Sequence, residues 1–235
     1  MKRVKSFKKT IILALILASP GFCYYLLTEQ GKNRYKPLPI YGSKVLTGTV
    51  SKVMGKEVPD TLYHQLQDFR LRDQNGEEVT LDNFDKSIFI TGFFYTNCAS
   101  VCELMLQNLS KVAANYKKND MVKFVSITVD PDRDSVYALK AYSQKYEATD
   151  KQWQFLTGDT STIYNLARNG FLVNAVAGKA DDFIYSEQFM LVDTHKRIRG
   201  YYNGTSKEDM VRLNDEIKVL IAEELRDKKI PDSSD

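Results

Sequence analysis

Ile88-Phe89-Ile90-Thr91-Gly92-Phe93-Phe94-Tyr95 runs directly into Thr96-Asn97-Cys98-Ala99-Ser100-Val101-Cys102. The first part is a nearly continuous apolar run, the pattern of a strand buried on both faces. Val101, Leu104, Met105, Leu109, Val112, Ala113 and Tyr116 then recur at helical spacing. Two cysteines four residues apart therefore fall where a buried strand gives way to a helix. Downstream, Val122–Val129 reads as another buried strand ending at Asp130-Pro131, and Val136, Leu139, Tyr142 and Tyr146 mark a second helix. Phe155-Leu156 is a short strand candidate, followed by a short helix through Ile163, Leu166 and Ala167. Phe189–Val192 and Ile198–Tyr202 read as a closing hairpin turned near His195-Lys196, and Ser206-x-x-Asp209 opens a terminal amphipathic helix. Upstream, Phe69–Asp73 and Val79 flank Asn75-Gly76, a hairpin turn signal. This order predicts an α/β sandwich with a mixed sheet, matching a thioredoxin-like fold with an N-terminal hairpin extension.

The chain has 235 residues, 43% apolar and 27% charged, which suits one globular domain with appendages and excludes a wholly disordered chain. Three cysteines are too few for a disulfide-stapled mini-scaffold. The net charge of +3 is concentrated at one end, since residues 1–9 carry five basic side chains and no acid. The remainder holds 28 basic and 30 acidic groups, a balance of −2, so no basic footprint for nucleic acid is present.

Thr10–Leu27 contains no charge over eighteen residues, about 27 Å as a helix and close to a bilayer core. The basic cluster ahead of it predicts a cytoplasmic N-terminus and export of everything after Leu27. A transmembrane anchor is the leading reading. Cleavage near Ser19-Pro20-Gly21 is the rival one, and lipidation at Cys23 fits poorly with Phe22 before it. Each places the domain outside a bacterial-type cytoplasmic membrane, on the periplasmic side. Residues 28–63, with Pro37, Pro39, Pro59 and four glycines, read as an extended tether. Residues 64–226 form the expected domain and 227–235 a polar tail.

Cys98 and Cys102 are the candidate functional residues. If the helix has begun by Cys98, the i, i+4 spacing stacks both sulfurs on its first turn. Helix N–H groups there favour a thiolate, and two converging thiolates can close a disulfide or chelate Cu(I). An ordinary structural role is the bland alternative, although an oxidising compartment seldom leaves such a pair idle. Cys23, alone in the apolar stretch, reads as inert. Asp130, Asp132, Arg133 and Asp134 read chiefly as a strand end and helix start, with Asp134 or Ser135 as cap and a supporting role beside the thiols as the alternative. Asn108-Leu109-Ser110 and Asn203-Gly204-Thr205 match the glycosylation pattern too weakly to use.

From Asp68 to Leu225 the chain resembles the Sco (SenC-type) family. The resemblance rests on Asp68-Phe69, on Phe93-Phe94-Tyr95-Thr96 leading into Cys98-x-x-x-Cys102, and on Val129-Asp130-Pro131-Asp132-Arg133-Asp134. It extends through Leu191-Val192-Asp193 and Arg199-Gly200-Tyr201-Tyr202-Asn203-Gly204. It implies a membrane-anchored thioredoxin-fold protein that delivers copper to, or reduces thiols at, the dinuclear copper centre of cytochrome c oxidase. It also implies Cys98 and Cys102 as copper ligands, closing a Cys98–Cys102 disulfide when oxidised. The family completes its copper site with a histidine about six residues before the Leu-Val-Asp strand end. Here that position is Tyr185, and the two histidines, His64 and His195, lie elsewhere. Ala99 replaces the family proline after the first cysteine.

A phenol titrates near 10 and offers a hard oxygen, so Cu(I) between two thiolates is expected to bind and Cu(II) to bind weakly or oxidise the pair. The expected partner is the copper-site subunit of the oxidase. The alternative is an exported thiol–disulfide oxidoreductase acting on another exported thiol protein, with Cys98 attacking and Cys102 resolving. Against general thioredoxin chemistry, no proline occurs from Leu172 to Phe189, where that fold places one facing the cysteines. A non-catalytic binding or sensing module is the third class.

Overall fold

The computed structural model describes residues 15–16, 18–22, 24–25, 37–53, 56–98, 100–148, 152–173, 175–177 and 183–227. The chain divides into two units, Met1–Pro37 and Leu38–Asp235. In the first unit the described residues 15–16, 18–22 and 24–25 are helical. The rest of the expected span 10–27, with Cys23, and most of the tail 227–235 lie outside the described residues. Among the described residues, no helix is long and apolar enough to cross a membrane.

In the second unit the first pair of strands is β1 (Lys44–Val53) and β2 (Lys56–Tyr63), an antiparallel hairpin. The sequence reading expected an extended tether over 28–63, so the region from Lys44 differs from it. Glycine and proline pointed to a loop, but Val45, Thr47, Thr49, Val50, Val53 and Val58 supply the β-branched residues a two-stranded ladder needs. Pro59 sits opposite Val50 in the ribbon, where a missing N–H is tolerated at a free edge.

The predicted small hairpin follows as β3 (Arg70–Arg72) and β4 (Glu78–Thr80). Asp73 closes its turn by accepting the N–H groups of Asn75 and Glu77 at 2.8 and 3.0 Å. The central sheet contains β5 (Ile88–Phe94), β6 (Val122–Thr128), β7 (Trp153–Leu156), β10 (Gln188–Val192) and β11 (Ile198–Asn203). Its order is β11-β10-β5-β6-β7, with β5, β6 and β7 parallel and β10 antiparallel to both neighbours. A second small hairpin joins β8 (Ala175–Ala177) to β9 (Phe183–Tyr185). The helices are α1 (Val101–Ala114), α2 (Val136–Gln144), α3 (Thr160–Asn165) and α4 (Lys207–Asp227). The mixed sheet between helical and hairpin layers is the thioredoxin-like arrangement expected.

The two-residue period of β5 explains its unbroken apolar sequence. Ile88, Ile90 and Phe94 face a core built with α1, α2 and α4, including Met105, Leu109, Leu139, Leu213 and Ile217. Phe89 and Phe93 face the opposite core, with Leu71, Val79, Phe84, Ile163 and Phe171. A strand covered on both sides has no position at which a polar residue meets water.

The sheet has two functionally distinct poles. Cys98 follows the carboxyl end of β5. Val192 pairs with Phe89 near the other end, so the β10–β11 turn over Asp193–Arg197 belongs to the amino-end pole. Seven strand residues put roughly 20 Å between these poles. At the amino-end pole the buried Arg199 guanidinium holds Asp193 at 3.2 Å, Glu223 at 2.7 Å, and the backbone oxygens of Leu38 and Pro39 at 2.7 and 3.1 Å. Leu38 N–H donates back to Glu223 at 2.8 Å.

Candidate functional site

The Tyr95–Cys98 segment is a tight turn, with Cys98 N–H donating to Tyr95 O at 3.2 Å. The helix begins only at Val101, three residues after Cys98. The conditional expectation of a helix already formed at Cys98 is therefore corrected: the two sulfurs meet because the turn folds Cys98 back over the helix start. Cys98 and Cys102 are joined as a disulfide with their Cα atoms 5.7 Å apart. Cys98 Sγ also accepts the Cys102 N–H at 3.2 Å, so one of the unpaired donors of the first helical turn ends on sulfur. Cys102 is fully buried, whereas Cys98 keeps 9% of its surface open. An incoming group therefore reaches Cys98 first.

Three polar residues fix the turn. Asp134, itself 1% exposed, accepts the Thr96 backbone N–H at 3.0 Å and the hydroxyls of Thr96 and Thr128. Thr128 Oγ1 also accepts Asp130 N–H at 3.0 Å, while Arg133 pairs with Asp130. The cap of α2 is Ser135, whose hydroxyl oxygen accepts Ala138 N–H at 3.3 Å. Asp134 thus ties the cysteine turn to the end of β6, the supporting role held open by the sequence. The specific partner, Thr96, was not identified there. The adjacent Tyr164 hydroxyl donates to Val129 O at 3.0 Å, and burial, then Asp130 and Asp132, push its pKa up.

Tyr185 ends β9 opposite Ala175 in the β8–β9 ladder; its side chain lies outside the described residues. His64 donates through Nε2 to Gly170 O at 2.7 Å, a structural bond at the base of the β1–β2 hairpin. His195 is in the β10–β11 turn, at the pole away from the cysteines. One of its ring nitrogens lies within 4.8 Å of carboxylate oxygens of Asp193 and Glu224. Asp193 is already committed there, with Oδ2 accepting from Arg197 at 2.8 Å and Arg199 at 3.2 Å, so the turn is an ion-paired corner rather than a metal centre. Asn108 is buried and donates to Gly204 O at 3.0 Å, which leaves no room for a glycan.

A family profile described as SCO1/SenC matches residues 59–221, more than half of the chain and all of the sheet just described. The chain belongs to the SCO1/SenC family. It is 28% identical to the "SCO1 protein homolog" of Bacillus subtilis over 154 residues, 64% of this chain and 79% of that protein. Among solved structures it is similar to a SCO1/SenC family lipoprotein from Bacillus anthracis at a TM-score of 0.63 and 27% identity, over 67% of this chain and 95% of the other. It is also similar to Bradyrhizobium japonicum ScoI with copper bound, with a TM-score of 0.54 and 28% identity over 64% and 98% of the two chains. The Sco match spans the cysteine turn, the Asp130–Asp134 segment and Tyr185 alike.

Proposed function

We propose that this Sco protein is tethered to the outer side of a cytoplasmic membrane through Thr10–Leu27. In its reduced state it carries Cu(I) between Cys98 and Cys102 and passes it to the copper-site subunit of cytochrome c oxidase. The observation that carries the reading is the convergence of two sulfurs at the opening of α1, Cys102 fully buried and Cys98 nearly so with 9% of its surface open. Membership of the family supports the destination, since Sco proteins are cytochrome c oxidase assembly proteins. The copper-bound state of the Bradyrhizobium relative supports the cargo.

The donor set fits Cu(I). Two thiolates are soft ligands sufficient for a linear ion, and the Cys102 N–H aimed at Cys98 Sγ stabilises charge on that sulfur. Cys98, the more open of the two, is the ligand that a recipient thiol or imidazole displaces first. Phenolic Tyr185 at the family histidine position is a poor third ligand at neutral pH, so Cu(II) is expected to bind weakly.

A second reading is favoured by one observation, the closed Cys98–Cys102 bond itself. As a thiol–disulfide oxidoreductase, the reduced protein would attack a target disulfide through the Cys98 thiolate, forming a mixed disulfide with one target sulfur and releasing the other as a thiolate. Cys102 would then displace the second target thiolate and close the pair, so two electrons pass from this dithiol to the target.

Anaerobic Cu(I) titration of the reduced full-length protein against a competing chelator tests the first reading. One Cu(I) per chain is expected, with Cys98→Ser weakening it by more than the roughly 10–100-fold of an outer-shell change. Failure to take up Cu(I) would remove the copper reading and leave the exchange chemistry. Tight, stoichiometric Cu(II) binding would contradict the assignment of Tyr185.

A further inference from the structure

Two helices that open at the cysteine pole leave a groove between them that the thiol chemistry does not use. α1 begins three residues after Cys98. α4 follows β11, whose last residue, Asn203, pairs with Gln188 beside the carboxyl end of β5, so it starts at the same pole. The loop ahead of α4 is seated on α1. Asn108 Nδ2 donates to Gly204 O at 3.0 Å, and a Cβ at Gly204 would come within 2.8 Å of Met105 Cγ. Farther from the cysteines, Asn115 Nδ2 donates to Asn214 Oδ1 at 3.2 Å and Tyr116 Oη to Asn214 O at 2.9 Å. The two helices are thus tied together above and below a groove of about 330 Å³.

The groove is apolar in the middle and cationic at its rims. Val112 and Met210 line it as buried side chains, Val211 is 64% exposed, and Lys111 and Lys207 stand one on each helix. Among the described residues, neither lysine has a carboxylate within ion-pair distance, whereas Arg212 and Lys218 of α4 are both paired. Lys207 is the first residue of α4, where the helix dipole disfavours a cation. Its neighbour Glu208 is engaged by Ser206 Oγ at 3.0 Å. An unpaired cation on each side of an exposed valine is complementary to carboxylates that the domain itself does not supply.

Leu104, 44% exposed, precedes Asn108 by one helical turn and Lys111 by two, so the same stripe of α1 reaches to within two residues of Cys102. Nine residues of helix place Lys111 roughly 14 Å along α1 from Cys102. An ordinary protein interface of about 800 Å² per partner is a disc of about 16 Å radius. A protein that reaches Cys98 therefore covers the groove in the same encounter. An inorganic anion between the lysines would leave Leu104 and Val211 bare, whereas a protein surface covers them.

We infer that the α1–α4 groove docks the protein that exchanges with Cys98, and that this partner presents an apolar side chain flanked by carboxylates. The side chain packs over Val211 between the helices, and the carboxylates pair with Lys111 and Lys207. The inference rests on the Cu(I)-delivery reading, under which the partner is the copper-site subunit of cytochrome c oxidase. The groove governs which partner is accepted and how fast it arrives, while the two sulfurs alone hold the metal.

The test mixes the full-length, reduced, Cu(I)-loaded protein in detergent with the apo soluble domain of that subunit from the same organism, and follows the rate of copper transfer under anaerobic conditions. The variants are Lys111→Glu/Lys207→Glu, Lys111→Arg/Lys207→Arg and Val211→Asn. Lys140→Glu, at an exposed position of α2, is the control for an added acid elsewhere. The double glutamate variant is expected to take one Cu(I) with unchanged affinity and to transfer it about tenfold more slowly, or slower still, at low salt. The difference shrinks in about 0.5 M salt. The double arginine variant keeps the original rate. Val211→Asn slows transfer at low and high salt alike, and Lys140→Glu does not. A double glutamate variant that transfers as fast as the Lys140→Glu protein overturns the inference while copper delivery stands. An unsubstituted protein that binds no Cu(I), or delivers none to the subunit, removes the delivery reading and the inference together. Variants that transfer normally but lose a concentration-dependent dimer in sedimentation, or lose binding to phosphatidylglycerol vesicles, identify a second copy or a lipid surface as the occupant, and either result overturns it.

Discussion

Cys98 and Cys102 differ in environment far more than in chemistry. One, 9% exposed, lies in the turn ahead of the helix and the other, fully buried, in the first turn of the helix, with the helix donor at 102 pointing at the sulfur of 98. What keeps the turn in that shape is Asp134, 38 residues away in sequence from Thr96. Removing its carboxylate leaves the half-buried Thr96 amide and hydroxyl and the buried Thr128 hydroxyl without their acceptor, each costing up to roughly 1–3 kcal/mol when it stays unsatisfied away from water. Asp134→Ala is therefore expected to lower unfolding free energy in urea by several kcal/mol. It should also speed dithiothreitol reduction of the Cys98–Cys102 bond, because a loosened turn gives the reductant a wider approach to Cys98. Asp134→Asn keeps the shape and one acceptor oxygen and should lie between the two. Equal reduction rates in all three proteins would leave Asp134 a packing residue with no hold on the thiols.

At the scale of elements, the start of α4 is the clearest case of local chemistry deciding a boundary. Ser206 Oγ accepts Asp209 N–H at 3.2 Å, and the Asp209 carboxylate accepts Asn203 N–H at 2.7 Å and pairs with Arg212 at 3.0 Å. The Asn203 bond, with a smaller contribution from Arg212, lowers the Asp209 pKa below its ordinary 3.8 against the opposing effect of burial. A carboxyl depressed on folding adds stability that is complete above its unfolded pKa and disappears as pH falls through the lower folded value. The α4 contribution should therefore weaken on acidification below about pH 4, and Asp209→Asn should flatten that part of the stability-versus-pH curve. An unchanged slope would show that other carboxylates govern acid unfolding.

Ser206, like the strands β5 and β6 and the turn at Asn75-Gly76, was readable because periodicity and capping act over a few residues. The β1–β2 hairpin was not, because its glycines and prolines outweighed an irregular valine–threonine pattern whose register shifts between Leu46 and Val50. The same limit applies to the site. The cysteine pair is visible as a spacing, but the helix starts later than the spacing suggested, and the partnership of Thr96 with Asp134 exists only once β5 and β6 lie side by side.

The whole molecule is organised around a sheet whose two ends do different work, and the Arg199 clamp decides whether the chain before the domain is fixed at the end without the cysteines. Arg199 is only 4% exposed and bridges two carboxylates of low exposure, Asp193 and Glu223. Taking it away strips Glu223 of its guanidinium partner and leaves Asp193 to Arg197 in a poorly hydrated place, and breaking such a pair from one side costs about 3–5 kcal/mol. Arg199→Ala should approach the limit of folding for a domain of ordinary stability, so Arg199→Lys is the more useful variant. A lysine keeps the charge but lacks the planar fork that reaches Asp193, Glu223 and two backbone oxygens together. Arg199→Lys is expected to stay folded, to expose the 38–40 segment to limited proteolysis, and to keep one Cu(I) per chain at Cys98 and Cys102, since roughly 20 Å of sheet separates the poles. Loss of Cu(I) uptake in a folded Arg199→Lys protein would instead mean that the clamp and the cysteines are coupled through β5 and β10, and that the two ends of the sheet are not independent.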